Sequence, residues 1–352
     1  MGEFVNNYTI NDIFEDFELI KENILGNESP SLRWIRESQG IIDNYYSIID
    51  EIYDAMVNAI KFTNNDSYSY IQYVLNNYEI KQDCFLKTVN IRVLAGRKGP
   101  NYHGSHFERN YDNIELSSDL KLLNAKFTIG INDNELFTKE SKNAFFRKMA
   151  HELQHAFRYY NICISNNASI ENERTSVARY GNIVNTLSNK SNETYANFLA
   201  PNLYMISKNE IMSEAQELYE YIRQHEEINS SNLDKWLGGI PLYWRISRSG
   251  KFLKYLDNIM FNEKNWEKID EIGNAYIKLM NFSSTTPHKA FLKCRQKAIG
   301  VEEYVRGVFF RTVNKAFDDF NRKIVNNKDI DLRYVIEKNE HFSLLKEILN
   351  KH

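Results

Sequence analysis

One pentad constrains this chain more than any other feature. Residues 149–157 read MAHELQHAF, which sets histidines at 151 and 155 in an apolar frame. On an α-helix, side chains four apart project from one face, a turn apart. Thr138 stands as an N-cap with Glu140 in the first turn, and no proline follows until well past Tyr160. One long helix is therefore expected from there to about Tyr160. Phe145, Phe146, Met149, Leu153, Ala156 and Phe157 give it a surface to bury. His151 and His155 can then offer two imidazoles to one tetrahedral Zn2+. Glu152, beside the first histidine, stands where a carboxylate takes the proton from a metal-held water. By chance the pentad arises in roughly one chain in a hundred of this composition. The bland alternative is a pair of core histidines satisfied by hydrogen bonds.

A catalytic zinc site needs a third protein ligand and an open fourth position. Residues 209–214 read NEIMSE and open a further helical stretch, SKNEIMSEAQELYEYIRQ. MAHELQHAF followed by NEIMSE resembles the zincin metallopeptidases, specifically the gluzincin branch. Their second signature is Asn-Glu, two residues, then Ser or Ala and an acid. The resemblance implies His151 and His155 as metal ligands, Glu152 as general base and Glu210 as third ligand. It implies that Glu214 hydrogen-bonds a ligand histidine from behind. One zinc ion per chain and a peptide or protein substrate follow from the same resemblance. The sequence departs from the family by carrying Glu at 214 where the best-known members carry Asp. The gap from His155 to Glu210 is also long, so Glu210 and Glu214 are open to exchanging roles. Zincins lay extended substrate along an edge strand above the active-site helix, and KFTIGI at 126–131 is the candidate for that strand. They also place a Tyr or His against the carbonyl oxygen of the substrate. Tyr159, Tyr204, His225 and Tyr243 are the candidates here, in a chain with 22 tyrosines. His103 and His106 form either a second metal site or a solvated loop.

Around these motifs the texture of the chain changes twice. From Ser31 to about Phe62 the apolar residues recur at near-helical spacing, and Tyr68–Tyr78 reads as a second helix. Lys87–Leu94 and Lys126–Ile131 alternate apolar and polar residues, as strands do. Residues 161–208 are mixed, with helical patches around Ala178 and Phe198. From Asn209 onward the pattern is nearly all helix, broken at SSNLDKWLGGIPLYW, SSTTPH and VNNKD. The expected fold class is α+β, a zincin-like catalytic domain with a small sheet packed on the active-site helix. The expected division is a helical region at 1–80, the zincin-like core at 81–230 and a helical region at 231–352, which can be continuous with the core.

Composition narrows the function classes. A net charge of -3 gives no electrostatic case for nucleic acid as a partner. Hydrophobic residues at 42% support a sizeable core. The three cysteines fall in no CxxC pair, which fits a reducing, cytoplasmic setting. No apolar run is long enough for a membrane span, and the opening residues do not resemble a signal peptide. The codon-driven richness in Asn, Ile, Lys and Tyr fits a bacterial or viral genome. The reading that follows is a zinc metallopeptidase. Its alternative is a zincin fold kept as a structural or binding component of a larger assembly, a virion for instance, with little or no peptidase activity.

Overall fold

The computed structural model describes residues 42, 45–59, 71–95, 105–108, 122–131, 138–164, 167–188, 194–206, 208–229 and 232–320. The chain is α+β, and its described residues form a four-stranded mixed sheet and a larger set of helices. The strands are β1 (Ile71–Glu79), β2 (Leu86–Ala95), β3 (His106–Phe107) and β4 (Leu123–Ile131), in the order β1-β2-β4-β3. β1 runs antiparallel to β2, β2 parallel to β4, and β3 antiparallel to β4. The two central strands bury Val89, Ile91, Val93, Ala125, Phe127, Ile129 and Ile131, as strands covered along most of their length must.

Two expectations change here. The segment expected as a helix over Tyr68–Tyr78 is strand β1 from Ile71 onward, and residues 68–70 lie outside the described residues. Tyr73 and Leu75 are buried while Val74 between them is exposed, which is period two rather than 3.6. The alternation breaks at a bulge between Leu75 and Tyr78, where Asn77 takes a φ of 49° and donates its N–H to the Asn90 side chain at 3.0 Å. That irregularity blurs the strand signal in the sequence. The region before residue 80 thus supplies a strand to the sheet. The second change concerns the strand ending in KFTIGI. β4 is covered over the first part of that run, because β3 pairs with it at Phe127 and Thr128 and Glu108 donates its N–H to the Lys126 carbonyl. Among the described residues the two edge strands are β1 and β3.

Against the sheet lie α1 (Tyr45–Ala59), which packs on β1, and α2 (Lys139–Ile164), which packs on β3 and β4. α2 carries the HELQH run and starts where its cap requires. The Ser141 N–H donates to Thr138 Oγ1 at 3.1 Å and the Lys142 N–H to the Thr138 carbonyl at 2.9 Å. Phe145, Phe146, Met149 and Leu153 are fully buried, each contributing roughly 1.5–3 kcal/mol. α3 (Asn167–Ser188) and α4 (Thr194–Met205) fill the long gap between the two motifs. α5 (Lys208–Gln224) then packs along α2. The short α6 (Leu233–Trp236) and a 3-10 turn lead to α7 (Pro241–Asp257), with Pro241 in its first turn where its missing N–H costs nothing. A π-helical turn at Asn258–Glu263 joins α7 to α8 (Trp266–Met280), and α9 (Pro287–Asp319) packs on α5, α7 and α8. The SSTTPH break falls between α8 and α9, whereas VNNKD lies outside the described residues. The apolar core runs without division from Ile42 to Phe317. Among the described residues, no helix is long and apolar enough to cross a membrane.

The junction between α8 and α9 depends on Gly273. A Cβ there would stand 1.9 Å from the Pro287 carbonyl oxygen and 2.5 Å from its carbon, both backbone atoms that cannot swing away. Gly273→Ala is therefore expected to lower stability by about 1–3 kcal/mol or more, as overpacking does. A urea midpoint equal to that of the parent protein would show that the two helices are not in such contact.

Candidate metal centre

α2 and α5 meet along a seam that is polar at one place. On α2, His151 and His155 face α5, and Glu152 and His155 are buried. On α5, the first turn presents Glu210 to both histidines. Its Oε2 stands 3.2 Å from His151 Nε2 and 3.3 Å from His155 Nε2. The three ligand-type atoms all lie within 4.8 Å of one another. Tetrahedral ligands at about 2.0–2.1 Å from a zinc ion are spaced by about 3.3 Å, so the His–Glu separations match such a set. The donors are two nitrogens and a carboxylate oxygen, a combination suited to zinc. The same spacing holds hydrogen bonds when protons occupy the site.

Electrostatics ties the cluster together. Burial alone would push the His151 imidazole down, but hydrogen bonds to Glu210 and Glu217 and the charge of Glu152 hold it well above its ordinary value. Burial alone would push the Glu210 carboxyl up. The His155 charge and the hydrogen bonds to both histidines hold it well below the carboxylate range instead. The contact from behind His151 comes from Glu217, whose Oε2 lies 3.3 Å from His151 Nδ1.

Glu214 stands elsewhere. Its carboxylate accepts from Arg245 Nε of α7, and the same guanidinium donates from Nη1 to the carbonyls of Tyr204 at 2.9 Å and Met205 at 2.8 Å. Burial pushes the Glu214 carboxyl up, with Arg245 pulling the other way. Sequence reasoning singled out the signature acid and overlooked Glu217. The available signal was its spacing, since residues seven apart return to the same helix face.

Of the hydroxyl and imidazole candidates, Tyr204 adjoins the cluster through Tyr180. The two rings are 5.5 Å apart and their hydroxyls are hydrogen-bonded. Burial and then the Glu210 charge push the Tyr180 hydroxyl far above its ordinary value, so it keeps its proton. Tyr180 was not anticipated. Tyr159 is buried with its ring 5.5 Å from Phe107 of β3. His225 lies beyond the end of α5, stacked between Tyr221 and Trp236 at 4.5 and 5.0 Å, about four helical turns from Glu210. Tyr243 is buried in α7, and burial pushes its hydroxyl up to about 12. His106 is exposed on β3, while His103 lies outside the described residues.

Comparison of the chain with protein-family models, curated proteins and solved structures finds no match.

The two shifts give the metal-free cluster a pH signature. Glu210 has a folded pKa well below 4.5, so its contribution is present above 4.5 and lost as pH falls through the depressed value. His151 has a folded pKa well above 6.5, so its contribution is present below 6.5 and lost as pH rises through the raised value. In chelator, Glu210→Gln should therefore cost the protein most stability between pH 4.5 and 6.5 and less on either side. Urea unfolding of both proteins across that range checks it. A pH-independent difference would mean that the groups are not ionised together.

Proposed function

We propose that the protein is a zinc-dependent peptidase of the zincin type, with His151, His155 and Glu210 holding the ion. The observation that carries this reading is the convergence of Nε2 of His151, Nε2 of His155 and Oε2 of Glu210 from two helices far apart in sequence. Two satisfied core histidines would need only one acceptor each, not a common carboxylate oxygen between them. The α+β fold, with the HELQH helix packed beneath a small mixed sheet, agrees with the reading.

When bound, zinc would supply an acidified water and a Lewis acid for the scissile carbonyl. Glu152 accepts the proton of the attacking water and passes it to the leaving amine. Its place next to His151 on the same buried turn of α2 sets it beside the proposed metal site. Tyr180, whose hydroxyl is held far above its ordinary value by burial and the Glu210 charge, is the nearby donor for the carbonyl oxygen as it gains charge, with the Tyr204 ring packed beside it. An extended peptide would add its backbone to β3, which of the two edge strands among the described residues is the one packed on the HELQH helix, in place of the β4 role expected from the sequence.

Elemental analysis of protein purified without chelator is expected to give about one zinc per chain, as a His2Glu set with an open fourth position takes. Glu210→Ala should lose most of that zinc. Glu152→Gln should retain both metal and fold while peptide hydrolysis falls by about 10^2- to 10^4-fold, since the amide accepts no proton. A chain that takes up no zinc on reconstitution overturns the metal reading. A Glu152→Gln variant that cleaves at the parental rate overturns the assignment of the base.

A further inference from the structure

We propose that Glu217 is the positioning residue that orients His151 toward the metal, and that Glu214 acts instead as half of a buried clamp with Arg245. The inference rests on the metal reading above and departs from what the second motif would suggest. On a helix, Glu217 is displaced about 20° from Glu210 around the axis and Glu214 about 40° the other way. The three acids therefore share one face, but the outer two lean to opposite sides. Glu217 leans toward α2, where its Oε2 meets His151 Nδ1 at 3.3 Å. Glu214 leans toward α7, where Arg245 takes its carboxylate.

His151 shows Nε2 to Glu210 and Nδ1 to Glu217, so its ring is held at both nitrogens. When Nε2 is given to a metal ion, the one remaining N–H is at Nδ1 and donates to Glu217. That bond fixes the tautomer, stops the ring from rotating and makes Nε2 a stronger donor. For Glu214 to do this it would have to leave Arg245. The Arg245 side chain is 1% exposed and would then be a buried cation without its charge partner. Arg245 also holds the last two carbonyls of α4, which the helix itself cannot satisfy. Glu214 thus fixes where α5 begins relative to α4, and Glu217 fixes the ligand ring.

The test is a competition titration of zinc into chelator-stripped full-length protein, paired with the visible spectrum of the cobalt(II)-loaded form. Glu217→Ala is expected to weaken zinc binding by about 10- to 100-fold and to alter the cobalt spectrum. Glu217→Gln, whose amide oxygen still accepts the Nδ1 proton, should recover part of the loss. Glu214→Gln should leave zinc affinity and cobalt spectrum close to those of the parent while lowering the thermal midpoint of the metal-free chain. Unchanged affinity in both Glu217 variants, or a larger loss at Glu214→Gln, overturns the proposal while leaving the metal reading intact. A parent protein that takes up neither ion overturns both.

Discussion

The seam between α2 and α5 has to solve a burial problem, and the rest of the fold is arranged around the solution. Carboxylates and imidazoles taken out of water need partners, because an unpaired buried charge costs several kcal/mol. α5 carries Glu210, Glu214, Glu217 and Glu220 on adjoining turns, and each is answered by a different partner set. Glu210 meets the two histidines of α2, Glu217 meets the back of His151, and Glu214 meets Arg245 of α7. Glu220, fully buried, accepts from Tyr45 of α1 and from Arg223 and Gln224 of its own helix. Moving α5 along its axis by one turn would break every one of these contacts to another helix at once. Its acidic face therefore sets the positions of α1, α2 and α7 more tightly than apolar packing alone, which tolerates sliding.

Local chemistry made part of this legible in the sequence. The start of α2 follows from Thr138 and its apolar face from 3.6-residue spacing, and both lie where that reasoning puts them. The helix runs on to Ile164, beyond the expected end near Tyr160, because no residue there stops it. His151, His155 and Glu210 come together as the two motifs imply. β1 was harder to read, since the bulge at Asn77 breaks its alternation. The strand beside β4 was harder still. β3 is only two residues long, and its pairing with β4 is a long-range event that no local pattern announces.

The partners of Glu214 and Glu217 illustrate why site chemistry is less legible than site location. A helical wheel places both acids beside Glu210, and their side chains are chemically identical. What separates them is a cation 31 residues downstream, on a helix whose direction depends on the 3-10 turn and Pro241 before it. The long gap between the motifs matters for the same reason. α3 and α4 occupy it, and the end of α4 supplies the two carbonyls that hold Arg245 in place. An insertion that looks like a departure from the resemblance thus helps to set the register of the helix carrying Glu210.

The cluster also bears on how metal and folding are coupled. In small zinc domains the unfolded chain has no site, and metal binding supplies the folding free energy. Here the apolar core extends from Ile42 to Phe317, and His151, His155 and Glu210 lie within hydrogen-bond distance of one another on two helices packed into it. The cost of ordering those side chains is met largely by packing that the metal does not touch. A metal ion would then replace shared protons in a site already shaped, adding stability only by mass action on the native state. Glu217 then holds the ring of one histidine, while the Glu214–Arg245 pair holds the start of the helix that carries Glu210.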